Sequence, residues 1–533
     1  MSRTPESNWL DRFVLICKPE QSGKTFIMIQ KIIKNISSPI VGKIIINIIL
    51  CDNNLLLTKQ TTERVKSELE EFYIDNEYYV EFSSHSRATC HNAMEVCGSI
   101  TVKGIKNVLC CTNGTRMNDI YQIVDDFNSG DQKDKYHFKI WLDEADKFTG
   151  FIDDTLIPMT EKHDNVDVSM ITATSKKLFD KYKSVSVLGI EQTTHPTLYH
   201  GWKDNAIRMI DLDAGCVGFA THVIENVCTE EMKYPGSKWF IPAESKQTTH
   251  NSIKKMCVKN GFAVFVVNGK GLSLSLPVTL EEIGPIKKTD ELNTMMLQLY
   301  HEHHLERYPL AITGNLCIGR GISIMSNDFM LNYAILSSCH NKQEASQLSG
   351  RVKGNIKGFD NYKAPTVFTT GKFDRIATEW ESKSRELAKL AFERAGDGEA
   401  IITKNEYKTL GEDYEYVCHD ELFKSYTQAV KFLNKNKRKM DVSRITSSKK
   451  GAIHDVGSQK YRVSSKMLKP GQTVADLTEN DRITTIDARH IIASRCISST
   501  DKGSRYLILP VYETNDTAAN KEKYQVRYIN FKK

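Results

Sequence analysis

The chain has 533 residues, 40% of them hydrophobic and 26% charged, which suits a globular protein too long for one ordinary core. No run approaches the ~20 apolar residues that span a bilayer, the opening MSRTPESNWLDRF lacks the charged-then-apolar order of a leader, and the thirteen cysteines form no C-x-x-C spacing; we therefore expect an intracellular protein with reduced thiols, no membrane association and no structural zinc. The net charge of +6 is local: residues 431–470 carry twelve Lys/Arg against two Asp, a net +10, so the remainder is about −4, and the basic window reads as a polyanion-binding surface or a solvated linker.

In chain order, RFVLIC (12–17) predicts a strand, KPEQSGKT a loop, and FIMIQKIIKNI a helix. VGKIIINIIL (41–50) is rich in β-branched residues, with Lys43 and Asn47 interrupting it, and predicts a buried strand near 43–50. A helix near 58–72 and strands at 106–112, 137–142 and 167–174 follow. Signals from 183 to 235 are mixed and suggest a connector. The alternation then restarts: strands at KWFIPA, FAVFVVNG, YPLAITGN, MLNYAILSS and APTVFTTG are separated by helical patterns, one of them expected to be capped by Ser245 and closed by Gly261. Residues 373–396 have helical periodicity and good helix formers. Strands alternating with helices imply parallel sheets covered on both faces. After Gly396 come the basic window and short β-like runs.

Two segments carry chemistry. QSGKT (21–25) lies between a strand and a helix, where backbone N–H groups and the helix dipole favour an anion. Lys24 would reach the β/γ-phosphates and Thr25 would hold Mg²⁺. The full pattern asks for glycine where Lys18 stands, so the match is partial. WLDEAD (141–146) ends a strand in three carboxylates. Asp143 is placed to hold Mg²⁺ through water, and Glu144 to orient and activate the attacking water. Asp146 is expected to tie this loop to the Thr-Ala-Thr segment at 172–174. Trp141 is expected in the core, and His301 and His304 on a polar helix surface. Arg116 reads equally as a phosphate contact or a surface residue.

In order and spacing, these segments resemble superfamily 2 helicases, the DEAD/DEAH-like class, over roughly residues 12–370. SGKT resembles motif I and DEAD motif II, with TAT as motif III. LTKQ (57–60), CTNGTR (111–116) and FIPAESK (240–246) resemble strand-contacting motifs and motif IV. TGNLCIGRGIS (313–323) resembles motif V and QLSGRVKG (347–354) motif VI. The last two look most like translocating helicases of large DNA viruses and phages, and the Ile/Asn/Lys-rich texture fits a viral origin. The resemblance implies an α/β chain of two tandem RecA-like domains, at 1–182 and 236–396, joined by the connector 183–235. A C-terminal α+β or β-rich appendage at 397–533 would follow.

The resemblance further implies ATP and Mg²⁺ in the cleft between the domains. Ser22, Gly23, Lys24, Thr25 and Asp143 would bind them, with Thr25 and Asp143 on the metal. Glu144, Gln347 and Arg351 would be catalytic, and Gly321 would touch both ATP and nucleic acid. The partner would be DNA or RNA held through its backbone, within a replication or transcription assembly. Three departures stand out: Gly354, preceded by Lys353, occupies the place of a second arginine, Ser323 that of an aspartate, and no adenine-reading glutamine motif precedes the first strand. A packaging motor or a helicase-fold scaffold without turnover are the alternatives.

Overall fold

Five largely apolar residues, Phe13–Cys17, begin the first sheet as β1. The structure, a computed structural model, describes residues 12–37, 42–52, 55–70, 79–84, 88–129, 134–191, 199–244, 246–279, 281–286, 292–314, 325–326, 328–337, 342–356, 359–410, 414–436, 455–456, 459–460, 466–467, 506–512 and 523–531. They fall into two units, 1–401 and 402–533.

The first unit holds two α/β lobes. In the first lobe β1 is followed by β2 (Ile44–Cys51), β3 (Tyr79–Phe82), β4 (Asn107–Cys111), β5 (Tyr136–Asp143), β6 (Val166–Thr172) and β7 (Ser184–Leu188). They lie in the order β7-β1-β6-β5-β2-β4-β3, all parallel, and an eighth strand (Glu399–Thr403) joins beyond β7. Strands buried on both faces explain the nearly unbroken apolar run of β2. Its one polar interior residue is satisfied across the sheet: Asn47 donates to the Asn107 side chain at 3.0 Å and accepts from the Trp141 indole at 3.1 Å. The buried amide thus ties β4, β2 and β5 together without an orphaned polar group. Trp141 is core, as expected.

The second lobe's sheet is built from β9 (Ala206–Met209), β10 (Lys238–Phe240), β11 (Ala263–Asn268), β12 (Gly271–Ser275), β13 (Glu282–Ile286), β14 (Leu310–Gly314), β15 (Tyr333–Leu336) and β17 (Thr366–Thr369). Between them in the chain fall β8 (Tyr199–His200) and β16 (Gly354–Asn355), which pair only with each other. The order is β13-β12-β11-β14-β10-β15-β17-β9, parallel except for the β11-β12-β13 hairpins. The stretch 183–235, expected as connector, supplies β7 to the first sheet and β9 to the second. The helix expected to start at Ser245 runs Gln247–Lys259, and Lys246 at its start makes no side-chain cap; Ser245 itself lies outside the described residues. Gly261 follows it at φ +83.

The helix Gly371–Ala395 belongs to both lobes. Phe373, Ile376, Ala377 and Trp380 pack into the second lobe's core. One helical stretch later, Ala388 packs with Ile16, Ile171 and Leu188 of the first, and the Ser384 hydroxyl donates to the Ala173 carbonyl at 2.7 Å. A continuous helix of 25 residues therefore braces the two sheets.

In the second unit, strands Tyr414–Phe423, Lys523–Phe531, Tyr506–Tyr512 and Lys466–Met467 form one sheet in that order, beside a helix at Tyr426–Asn436. Ala429 and Val526 are its buried centre, with Phe423, Phe432 and Tyr524 packed around them. This is an α+β arrangement. Most of the basic window lies outside the described residues.

Candidate active site

The parallel order sets the geometry. Cys17, the end of β1, pairs with Thr172, and Asp143, the end of β5, pairs with the adjacent Ile171. The loop after β1 and the acids after β5 therefore emerge at one level, on either side of β6, at the carboxyl edge where α/β sheets bind ligands. After β1 the backbone turns through left-handed Gln21 (φ 54) and Gly23 (φ 87) into the helix Lys24–Ser37. A side chain at φ 87 is strained, which fits glycine there. That helix has no acidic residue in its first turn, so its positive end is unopposed locally. Lys24 Nζ donates to the Pro19 carbonyl at 3.3 Å.

Across β6, Asp143 accepts the Glu144 N–H at 3.0 Å. Burial raises its carboxyl above the usual range, with Lys24 the strongest opposing influence. Glu144 is buried and held at φ 51, ψ 42, a left-handed backbone that a non-glycine residue adopts at a cost of about 1–3 kcal/mol. Asp146 accepts the Thr172 hydroxyl at 2.7 Å, the link expected from the sequence. Lys147 pairs with Asp52 at the end of β2.

The second lobe closes the site. Helix Lys342–Ser349 carries Gln347, and Arg351 follows it. Gly23, Lys24, Thr25, Asp143 and Glu144 line one cleft with Gln347 and Arg351, and its volume of about 420 Å³ is within the ~300–1,000 Å³ of small-molecule sites. Arg351 is 2% exposed; burial pulls its guanidinium down to about 10, against the carboxylates of Glu144 and Glu20. Gln347 is 4% exposed, and its Nε2 has no partner among the described residues. Ser22 is not brought to the cleft; its hydroxyl turns back to the Pro19 carbonyl at 2.7 Å. Gly321 lies outside the described residues.

Arg116 is neither a free phosphate contact nor a solvated residue. It is buried over the Phe82 ring, paired with Asp119 at 2.8 Å and donating to the His91 carbonyl at 3.0 Å. His304 pairs with Glu306 at the exposed surface, 3.3 Å away. Glu20 and Lys353 are among the cleft residues that escaped the sequence reading. Glu20 of the loop after β1 and Lys353 of the second lobe form an ion pair at 2.8 Å, both buried. The signal was present: a carboxylate inside the loop expected to bind an anion, and a lysine beside the position where the resemblance expects a second arginine.

The fold is a RecA-like tandem. No family model matches the sequence, and no curated protein matches it. Among solved structures, the chain is similar to a DEAD box protein from the hyperthermophile Methanococcus jannaschii at 14% identity and TM-score 0.36, over 70% of this chain and 86% of that one. It is similar to the DEAD-box helicase Mss116 bound to ssRNA and UDP-BeF at 14% identity and TM-score 0.40, over 68% and 67%. It is similar to the ATP-dependent Type ISP restriction-modification enzyme LlaBIII bound to DNA at 12% identity and TM-score 0.41, over 75% of this chain but only 29% of that one.

The residues present fit a nucleoside triphosphate with Mg²⁺. The cleft joins a helix N-terminus and a lysine to a hydroxyl and a carboxylate, hard oxygen donors of the kind Mg²⁺ takes. The unpartnered Gln347 amide supplies a buried donor.

Proposed function

We propose that the chain is an ATP-dependent helicase or translocase of the superfamily 2 type, moving on a DNA or RNA strand. The observation that carries this reading is the convergence of Lys24, Asp143 and Glu144 from one lobe with Gln347 and Arg351 from the other around a single cleft. A phosphate loop alone would fit many nucleotide-binding proteins. A buried arginine arriving from a second α/β lobe fits hydrolysis that depends on how the lobes meet.

In this reading Lys24 and the N–H groups at the start of its helix bind the phosphates, and Thr25 and Asp143 hold Mg²⁺, whose chemistry is to offset phosphate charge. Glu144 orients the attacking water and accepts its proton. Arg351 stabilises the charge that develops on the transferred phosphoryl group, and Gln347 positions the water or a phosphate oxygen. The lobes then act as two grips on a strand, held mainly through backbone phosphates, so binding weakens steeply with salt. Gly321 and the basic window 431–470 are proposed as further contacts.

The experiment is ATP hydrolysis by the purified chain, alone and with single- and double-stranded DNA and RNA. Stimulation by at least one nucleic acid is expected, together with its loss in Lys24→Ala. No turnover under any condition would refute the reading.

A further inference from the structure

A carboxylate is the wrong charge for a loop that binds phosphates, yet Glu20 sits in the phosphate loop and lines the cleft. The second lobe neutralises it. Lys353 Nζ lies 2.8 Å from one Glu20 oxygen and 3.2 Å from Glu381 of the bracing helix, and the Ser346 hydroxyl donates to the other Glu20 oxygen. The backbones interlock as well. Asn355 N–H donates to the Gln21 carbonyl at 3.0 Å. A Cβ on Gly354 would stand 2.9 Å from the Gln21 Cβ, and one on Gly350 the same distance from the Glu20 Cβ.

The two ends of this ion pair are not equivalent when the lobes part. Lys353 keeps Glu381, because Glu381 lies in the half of the bracing helix that packs with Trp202 and Trp380 in the second lobe's core. Glu381 is itself held by Arg385 at 2.8 Å and by the Trp202 N–H at 3.0 Å. Glu20 loses both Lys353 and Ser346. Arg351, which also faces Glu20, leaves with the second lobe, whereas Lys24, the residue assigned to the phosphates, lines the cleft beside Glu20 on the same lobe. A carboxylate that loses its ion-pair partner is left to the attraction of the nearest remaining cation.

We infer that Glu20 is a charge switch in the phosphate loop: with the lobes together Lys353 holds its carboxylate and leaves Lys24 to the nucleotide, and with the lobes apart the carboxylate competes for Lys24 and weakens nucleotide binding. Opening thus does more than withdraw Arg351. It puts a competing anion into the phosphate site and promotes product release. The inference rests on the nucleotide-binding reading above and assigns Glu20 and Lys353 as positioning residues within it.

The test is affinity and release of a fluorescent ADP analogue, measured by stopped flow on the full chain. Lys353→Met is expected to weaken affinity about tenfold, since Glu20 then lacks its ammonium partner even with the lobes together and competes for Lys24. Glu20→Gln is expected to bind ADP more tightly than wild type and to release it more slowly, a gain that misfolding does not produce. The double variant should recover the affinity that Lys353→Met loses, with far-ultraviolet circular dichroism confirming that each protein is folded. If Glu20→Gln releases ADP at the wild-type rate or faster, or if the double variant binds as poorly as Lys353→Met, the switch is refuted while nucleotide binding stands. If the wild-type chain binds no nucleotide, the underlying reading falls and the switch with it.

Discussion

Thr172, the last residue of β6, donates its hydroxyl to Asp146 at 2.7 Å, and both side chains are fully buried. The same hydroxyl accepts the Thr174 N–H at 3.0 Å. One side chain therefore holds the acidic loop after β5 against the turn after β6. Thr172→Val keeps the shape and removes both bonds. Because one partner is a carboxylate, the expected loss is about 1.5–3 kcal/mol of stability, read as a lower urea midpoint at unchanged slope. Nucleic-acid-stimulated turnover should fall too, since Glu144 loses the support of its loop.

Glu144 offers a sharper separation of binding from chemistry. Its left-handed backbone and burial fix the carboxylate at the mouth of β5. Glu144→Gln is nearly isosteric and leaves Lys24 and Thr25 in place. Turnover is expected to drop about 10²–10⁴-fold, as for loss of a general base, with ATP affinity changed little. Phosphate release and equilibrium binding, measured on the same preparation, distinguish this from a collapsed site. Unchanged turnover would remove Glu144 from the proposed role.

Much of this site was legible because it is local. A strand, a glycine-bearing loop and a helix follow one another within Phe13–Ser37, and the acids follow directly on β5, so residue pattern alone located them. β7 and β9 were not legible: Ser184–Leu188 and Ala206–Met209 are short, and the pairing that makes them strands comes from Val14, Leu15 and Thr366–Thr369, distant in sequence. The helices Ala93–Lys103 and Gly114–Asn128 left a readable trace. Asn92 and Asn113 cap them by accepting the N–H three residues on, at 3.0 and 3.1 Å. The shared helix Gly371–Ala395 was visible as a helix, but amphipathic spacing does not say that its two halves serve different cores. The Glu20–Lys353 pair is tertiary throughout, which is why only its electrostatic oddity appears in the sequence.

That pair predicts a pH dependence. Burial alone would raise the Glu20 carboxyl, but Lys353, Ser346 and Lys24 outweigh it and hold it below its ordinary value of 4.5. A depressed carboxyl contributes stability that is fully present above 4.5 and is lost as pH falls through the lowered native value. Lys353 works in the opposite direction. Its ammonium is raised above 10.5, despite burial, by Glu20 and Glu381. Its contribution is present below 10.5 and fades as pH rises through the raised value. Thermal melts across pH should therefore show an acid limb that is flatter in Glu20→Gln than in wild type. Superimposable acid limbs would mean the pair contributes no pH-linked stability.

Gly350 allows the lobe contact to be disturbed without replacing any charged group. A methyl group there would sit 2.9 Å from the Glu20 Cβ and 3.1 Å from the Gln347 carbonyl, too close for either backbone-anchored neighbour to accept unmoved. Overpacking of this kind costs about 1–3 kcal/mol, and the strain falls where the second lobe meets the phosphate loop. Gly350→Ala is therefore expected to displace Arg351 and Gln347 from the cleft while Lys24, Thr25 and Asp143 stay in place. The kinetic signature is a fall in kcat larger than any rise in KM for ATP, because a group acting on the transition state is moved while the ground-state phosphate contacts remain. Steady-state ATPase at saturating nucleic acid reads this directly. A rise in KM with kcat intact would instead place Arg351 outside the chemistry.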